Sequence, residues 1–307
     1  MNTHCTNALG ILVCVLCCLG SPSTHARVVT DATGTAVNIP DQVQRPIALS
    51  ETDLDSLLAL QIQPIGTTAG RGQNSTPNYL GEAGKRIPLL GGFAAPILDK
   101  TIAAQPDLIL AGGTTDPKLL HQLRAIAPTV VTYRLGENWK TAFRRIAHIL
   151  NATAQADTFF VRYQQRTAQL RKPLTQQALP TVSIVRWNPQ GPSYMLSDSF
   201  ASLVLADIGL QRPSSQRQAG IAHSPPLSLE ALDRLDADWL LMGTLSPTGQ
   251  ASDNLKHAMQ LPVFRQLRAV RNQRVHTVDG SLWTSLGGPL AAMSILNDVE
   301  QRMLNTR

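Results

Sequence analysis

The chain reads as an α/β protein made of two similar lobes bridged by a single long helix. Residues 96–113, PILDKTIAAQPDLILAGG, are answered by residues 226–244, PLSLEALDRLDADWLLMGT. At an offset of about 131 residues Leu98 falls on Leu229, Asp99 on Glu230, Asp107 on Asp238, and Leu108-Ile109-Leu110 on Trp239-Leu240-Leu241. Each copy is expected to be a short helix, a turn and a buried strand. A second echo, QLRA at 122–125 and again at 266–269, follows in the same order at about 144 residues. Such a period is far too long for a solenoid repeat, which leaves two α/β halves. Between them, from Asn138 onward, the hydrophobic pattern turns helical.

In chain order, Val28-Val29-Thr30-Asp31 and Ala36-Val37-Asn38-Ile39 flank Ala-Thr-Gly-Thr and predict a short hairpin. Ile47-Ala48-Leu49-Ser50 reads as a buried strand. Leu54, Leu57, Leu58 and Leu60 then keep helical spacing, with Thr52 or Asp53 as the N-cap. Pro64-Ile65-Gly66-Thr67 starts the next strand, and strand, helix, strand in that order predicts parallel pairing with the loops at the strand ends free for a ligand. Residues 68–79, TAGRGQNSTPNY, form a Gly/Ser/Asn/Pro-dense loop around one cation, Arg71. Val130-Val131-Thr132-Tyr133 closes the first lobe. In the bridge, Ala142, Phe143, Ile146, Ile149 and Leu150 make one apolar face, and Phe159, Phe160, Tyr163, Thr167 and Leu170 another, with a break at Asn151-Ala152-Thr153. The second bridging helix, 154–172, would span roughly 28 Å before Pro173 and Pro180 end it. The second lobe opens with Thr181-Val182-Ser183-Ile184-Val185, which delivers Arg186-Trp187. A helix over 200–208 capped by Gly209, the repeat, a strand at 274–278 and a last helix over 289–304 complete it.

The boundaries that follow are a signal peptide at 1–26, an N-terminal lobe at 27–137, a helical segment at 138–173 and a C-terminal lobe at 174–307. Residues 1–26 contain no Asp, Glu, Lys or Arg, and 8–19 is an apolar block too short to span a bilayer. With Thr24-His25-Ala26 after it, the segment reads as a secretory signal peptide cleaved after Ala26, although a basic start is missing. All four cysteines, Cys5, Cys14, Cys17 and Cys18, lie inside it, so the mature chain has neither disulfide nor Cys-ligated metal. A lipid anchor at Cys17 or Cys18 is the lesser alternative, because the residues before them are not small.

The formal charge is +6, with 43% hydrophobic and 16% charged residues, an ordinary globular balance. No dense Lys/Arg run interleaved with aromatics occurs, which sets nucleic acid aside and leaves a solvated basic surface or an anionic small molecule. A Ser/His/acid hydrolase would need a nucleophile on a strained turn. There is no GxSxG, and Asp279 and Ser281 after a strand lack a histidine where motif logic would place it. The mature histidines, His121, His148, His223, His257 and His276, are isolated, with no spacing suited to a metal. What remains is a cleft between lobes. The strand-end residues that combine charge with flat apolar area are Arg71, Phe93, Trp139, Arg186, Trp187, Tyr194 and Trp283.

Read together, Thr30-Asp31-Ala32-Thr33-Gly34, Ile39-Pro40, Arg45-Pro46-Ile47-Ala48-Leu49, Leu57-Leu58-Ala59-Leu60 with Pro64-Ile65-Gly66, and Ala104-Gln105-Pro106-Asp107-Leu108-Ile109-Leu110 form a familiar order. Leu123-Arg124-Ala125-Ile126-Ala127-Pro128-Thr129-Val130 and Val278-Asp279-Gly280-Ser281-Leu282-Trp283 complete it. In this order and spacing the mature chain resembles the ferric-siderophore-binding proteins of ABC importers, a group that also includes haem and cobalamin binders. The resemblance implies two chelatase-like lobes joined by a single long helix, the class III periplasmic-binding-protein fold. It also implies a monomeric, non-enzymatic periplasmic protein that captures a ferric siderophore and delivers it to an inner-membrane ABC permease, with haem or cobalamin as the alternative cargo. No cofactor is expected, since the iron enters already chelated. An acid at the start of the repeated helix of each lobe meets permease arginines in that family, a role that carries over to Asp99 and Glu230. One departure stands out. Where relatives that take hydroxamate or citrate complexes often have an arginine just before the first repeat, this chain has Phe93, so an anion clamp would move to Arg71 or Arg186.

Overall fold

Each copy of the repeat contributes its strand to a different sheet, and the two sheets set the architecture of the computed structural model, which describes residues 26–174 and 180–304. The signal-peptide reading and its four cysteines therefore fall outside the described residues, except for Ala26. β1 (Ala26–Thr30) and β2 (Ala36–Pro40) form the expected antiparallel hairpin. Asp31 holds its turn, with Oδ1 accepting the N–H of Thr33 at 2.8 Å and of Thr35 at 3.0 Å.

The first lobe then alternates strand and helix: β3 (Pro46–Ala48), α1 (Glu51–Ala59), β4 (Gly66–Thr68), α2 (Gly81–Lys85), β5 (Leu89–Gly92), β6 (Ala95–Pro96), α3 (Leu98–Ala103), β7 (Leu108–Leu110), α4 (Pro117–Arg124) and β8 (Thr129–Val130). Its sheet runs β6-β5-β4-β3-β7-β8 and is parallel except for β6, which doubles back on β5. β3 and β7 are fully buried and apolar, as a parallel strand covered on both faces must be. The cap of α1 differs from expectation. Ser50, extended at φ −139°, ψ 159°, is the N-cap, and its hydroxyl accepts the Asp53 N–H. Asp53 is thereby drawn inside the helix and inward, where Gly112 N–H (2.8 Å), the Ser50 hydroxyl (2.7 Å) and the Thr132 hydroxyl all donate to its carboxylate.

Asn138 caps α5 (Trp139–Ile149) by accepting the Lys140 N–H, and Asn151 in the left-handed region at φ 53° breaks the chain before α6 (Thr153–Leu174). With 22 residues, α6 spans about 33 Å. Pro173 sits inside its last turn rather than ending it. Proline holds a helical φ, so near a helix end it removes one hydrogen bond without forcing the chain out of the helix.

The second lobe contains β9 (Val182–Asn188), β10 (Gly191–Tyr194), α7 (Phe200–Asp207), β11 (Trp239–Gly243), α8 (Gln250–Ala258), α9 (Pro262–Arg265), α10 (Arg268–Arg271), β12 (Val275–Thr277), α11 (Gly280–Thr284) and α12 (Pro289–Val299). Its sheet runs β10-β9-β11-β12, parallel apart from β10. The second copy of the repeat helix, Leu229–Leu235, is a 3₁₀ segment kinked at Ala231, unlike α3. The aspartates of the two copies nevertheless do the same work. Asp107 accepts the N–H groups of Gln44 (2.7 Å) and Arg45 (2.9 Å) ahead of β3, and Asp238 accepts the N–H of Thr181 (2.8 Å) ahead of β9.

One apolar core runs from Leu54 and Leu57 of α1 through Phe143, Phe159 and Val204 to Ile295 and Leu296 of α12. A second lies behind β9 and β11 around Val185, Trp187, Leu240 and Phe264. The chain's last helix thus packs on the first lobe as well as on its own. Asp55 of α1 accepts the N–H groups of Leu290 (2.7 Å) and Ala291 (2.8 Å), serving as the cap that α12 lacks within its own sequence.

Candidate functional site

In open parallel sheets the ends of the strands and the loops after them are where ligands collect, and here the strand ends of the two sheets face each other across a narrow groove. The first lobe contributes Glu51 and Thr52 after β3, Arg71 after β4, Phe93 after β5 and Tyr133 after β8. The second contributes Arg186 from β9 and Ser281, Thr284 and Ser285 from α11 and its end. The walls touch. The Ser285 hydroxyl donates to Glu51 Oε2 at 2.7 Å, the Thr52 hydroxyl donates to Gly287 O at 3.2 Å, and Gln73 Nε2 donates to the Ser281 hydroxyl. At Gly72, φ +70°, a Cβ would lie 2.7 Å from Leu245 Cβ on the opposite lobe, so only glycine permits this approach.

Two guanidiniums enter the groove. Arg186 is buried; its Nε donates to Thr284 Oγ1 at 3.1 Å and its Nη2 to Thr284 O. Burial, and after it the charge of Arg71, pushes its pKa down to about 10, with Glu51 opposing. Arg71 lies with its Cζ 4.7 Å from the centroid of the Phe93 ring, a cation–π contact, while its buried Nε has no hydrogen-bond partner. Between them Glu51 accepts the Arg71 N–H at 2.8 Å, and burial raises its carboxyl above the usual range despite that bond, the Ser285 bond and both arginine charges. Among the described residues neither Arg71 nor Arg186 stands in a salt bridge.

Toward the β8 end the groove runs into a small pocket of about 40 Å³ lined by Thr52, Tyr133, Arg134, Trp139, Phe200 and Ile221, among others. Burial pushes the Tyr133 phenol up, against hydrogen bonds from Ser50 and Thr52. Trp139 belongs both to this pocket and to the aromatic core. It meets Tyr163 edge-on at 5.2 Å and Phe200 at 6.1 Å, and its indole N–H has no partner.

The sequence-derived set is therefore divided. Arg71, Phe93 and Arg186 come together in the groove and Trp139 lines its pocket. Trp187, Tyr194 and Trp283 do not join them. Side chains alternate along a strand, so with Arg186 on the groove side its neighbour Trp187 turns into the core behind the sheet, beside Tyr194. Trp283 is wholly buried under α12, its Nε1 donating to Asp298 Oδ2 at 2.8 Å. A position after a strand does not say which face a side chain takes. Glu51, Thr52, Tyr133, Arg134 and Ser285 were missed, although the first four lie within four residues of a strand end and the strand-end rule applied equally to them.

Asp99 and Glu230 are exposed on the first turns of their segments, one per lobe, beside the exposed apolar side chains Ile97, Ile102 and Leu229. A hydrogen bond from Ser228 holds the Glu230 carboxyl below the usual range. The serine that a hydrolase would require, Ser281, donates its hydroxyl to Asp279 Oδ1 at 2.6 Å in a helix-capping arrangement. Among the described residues no three His, Cys, Asp or Glu side chains converge as a metal would need, and no helix is long and apolar enough to cross a membrane.

Comparison with known proteins agrees with this geometry. The chain is 30% identical over 293 residues to the "Probable siderophore-binding lipoprotein YfiY" of Bacillus subtilis, covering 93% of this chain and 90% of the relative. It is 28% identical over 261 residues to the achromobactin-binding periplasmic protein of Dickeya dadantii, covering 83% and 85%. The crystal structure of Staphylococcus aureus SirA complexed with staphyloferrin B superposes with a TM-score of 0.78 at 20% identity, over 90% of this chain and 98% of that one, so the fold is the class III periplasmic-binding-protein fold. The sequence relatives fit the binding-protein reading and not the hydrolase one. The family model described as periplasmic binding protein matches residues 47–282, and the chain belongs to that family.

Proposed function

We propose that this protein captures a ferric siderophore outside the inner membrane and delivers it unchanged to an ABC permease. The observation that carries the reading is the pair of groove arginines, Arg71 and Arg186, set on opposite lobes without salt-bridge partners among the described residues, and with the buried side-chain Nε–H of Arg71 left unbonded. Buried guanidinium donors of this kind fit carboxylate or other anionic oxygens on a chelated cargo. The relatives, named for siderophores and for periplasmic or lipoprotein location, support the same reading. Iron would arrive with its coordination filled by the hard oxygen donors of the chelator, and the protein would recognise the outside of the complex. The chain would be exported on residues 1–26 and act as a monomer. Asp99 and Glu230, one exposed acid per lobe framed by apolar side chains, would be the contacts that permease arginines meet.

Titration of the purified protein with ferric hydroxamate, ferric citrate and ferric catecholate complexes, followed by tryptophan fluorescence, tests the proposal. Trp139, which lines the pocket, is the reporter. Saturable quenching by one or more of these complexes is expected. A response to haem or cobalamin beside none to the ferric complexes would replace the cargo within the same fold.

A further inference from the structure

The groove contains an acid among its bases, and an acid is an odd neighbour for a site that must attract an anion. Glu51 is the first residue of α1 and only 6% exposed. One carboxylate oxygen is fixed by the Arg71 N–H (2.8 Å) and the other by the hydroxyl of Ser285 from the facing lobe (2.7 Å), so the group cannot swing aside without breaking a bond within its own lobe and one across the groove. The charges of both Arg71 and Arg186 act on it, yet neither guanidinium is within salt-bridge distance among the described residues. Beside Arg71 and Arg186 this immobilised anion offsets part of their positive charge, in surroundings of low dielectric where each charge counts for much more than in water.

We infer that Glu51 is a specificity-determining residue that tempers the pull of Arg71 and Arg186 on anionic cargo, so that strongly anionic ferric complexes gain less over neutral ones than the two arginines alone would give. The inference rests on the siderophore reading above. Its physical basis is simple. A neutral tris-hydroxamate complex neither gains from the arginines nor loses to Glu51, whereas a triply negative tris-catecholate is drawn by the arginines and repelled by the fixed carboxylate, each in proportion to its charge. The hydrogen bond to Ser285 makes the same carboxylate a tie between the lobes, so the filter is in place when the groove is closed.

The test is the affinity of ferric tris-catecholate relative to ferric tris-hydroxamate in the wild type, in Glu51→Gln and in Ser285→Ala. Gln is nearly isosteric and can still accept the Arg71 N–H, so it removes charge with little change in shape. Glu51→Gln should improve the tris-catecholate relative to the tris-hydroxamate by at least about ten-fold, with the advantage shrinking as salt is added. Ser285→Ala, which keeps the charge and removes the tie, should shift both complexes by the same factor. Equal shifts of both complexes in Glu51→Gln, or a charge-selective shift in Ser285→Ala, would overturn the assignment while leaving the siderophore reading intact. Absence of binding by any ferric complex to the wild type would overturn both.

Discussion

Arg186 and Trp187 are neighbours in sequence with opposite fates, and the difference is the pleat of one strand. Arg186 faces the groove, where burial and a second guanidinium press on its charge; Trp187 is spent on the core. Replacing Arg186 by Ala should weaken binding of an anionic ferric complex by about 2–3 kcal/mol, measured by calorimetry, because the anion loses a desolvated donor. Trp283→Ala should instead cost about 3–5 kcal/mol of folding stability in a urea titration and leave affinity nearly unchanged, since its ring and its bond to Asp298 lie beneath α12. A third prediction concerns pH. Burial raises both Asp53 and Asp55 from 3.8 to about 6. The folded chain then holds protons that the unfolded chain has released, so the associated stability is fully present below 3.8 and lost as pH rises through about 6. The unfolding free energy from a urea titration should therefore be higher at about pH 5 than at pH 7.5, by about 1 kcal/mol for each group. At this scale the sequence revealed the kinds of side chain a site would need. It could not reveal which of them face inward, because strand-end position fixes location along a strand and not the side of the sheet.

Among the elements, the repeat was the most legible feature, and its aspartates show why. Asp107 and Asp238 each fasten the backbone entering the neighbouring strand of their own sheet, a local requirement that keeps the same residue at the same place in both copies. The first hairpin, the central parallel strands and the two bridging helices were equally readable from periodicity, because burial on one or both faces writes itself into the pattern. The α1 cap was misplaced by two or three positions, since Ser50, Thr52 and Asp53 are all competent caps and only the inward pull of Gly112 and Thr132 on Asp53 decides among them. The short antiparallel edges, β6 and β10, have too few residues to show alternation. Asp55 was invisible as a cap because the helix it serves begins more than two hundred residues later. Asp55→Ala should cost about 2–3 kcal/mol in chemical denaturation, since it strips charged acceptors from the start of α12 and from the Tyr79 hydroxyl (2.9 Å).

For the molecule as a whole, α6 and the shared core resist a wide swing of one lobe against the other, so solution scattering with and without ferric cargo should show only a small change from the ~19 Å radius of gyration of a compact chain this long. The double change Asp99→Ala with Glu230→Ala should abolish cellular uptake of the ferric complex while the purified protein keeps its affinity, because both acids lie outside the groove; lost affinity in the titration would contradict their placement as docking residues. The grip of Asp55 on α12 has a further consequence. A fragment ending at residue 174 would expose the apolar face of α1 and leave a buried carboxylate without its amide partners, so half of the gene should not yield a soluble lobe. Co-expressed pieces divided between 174 and 180 should instead find each other and rebuild the groove, which makes this chain a natural scaffold for split-protein complementation.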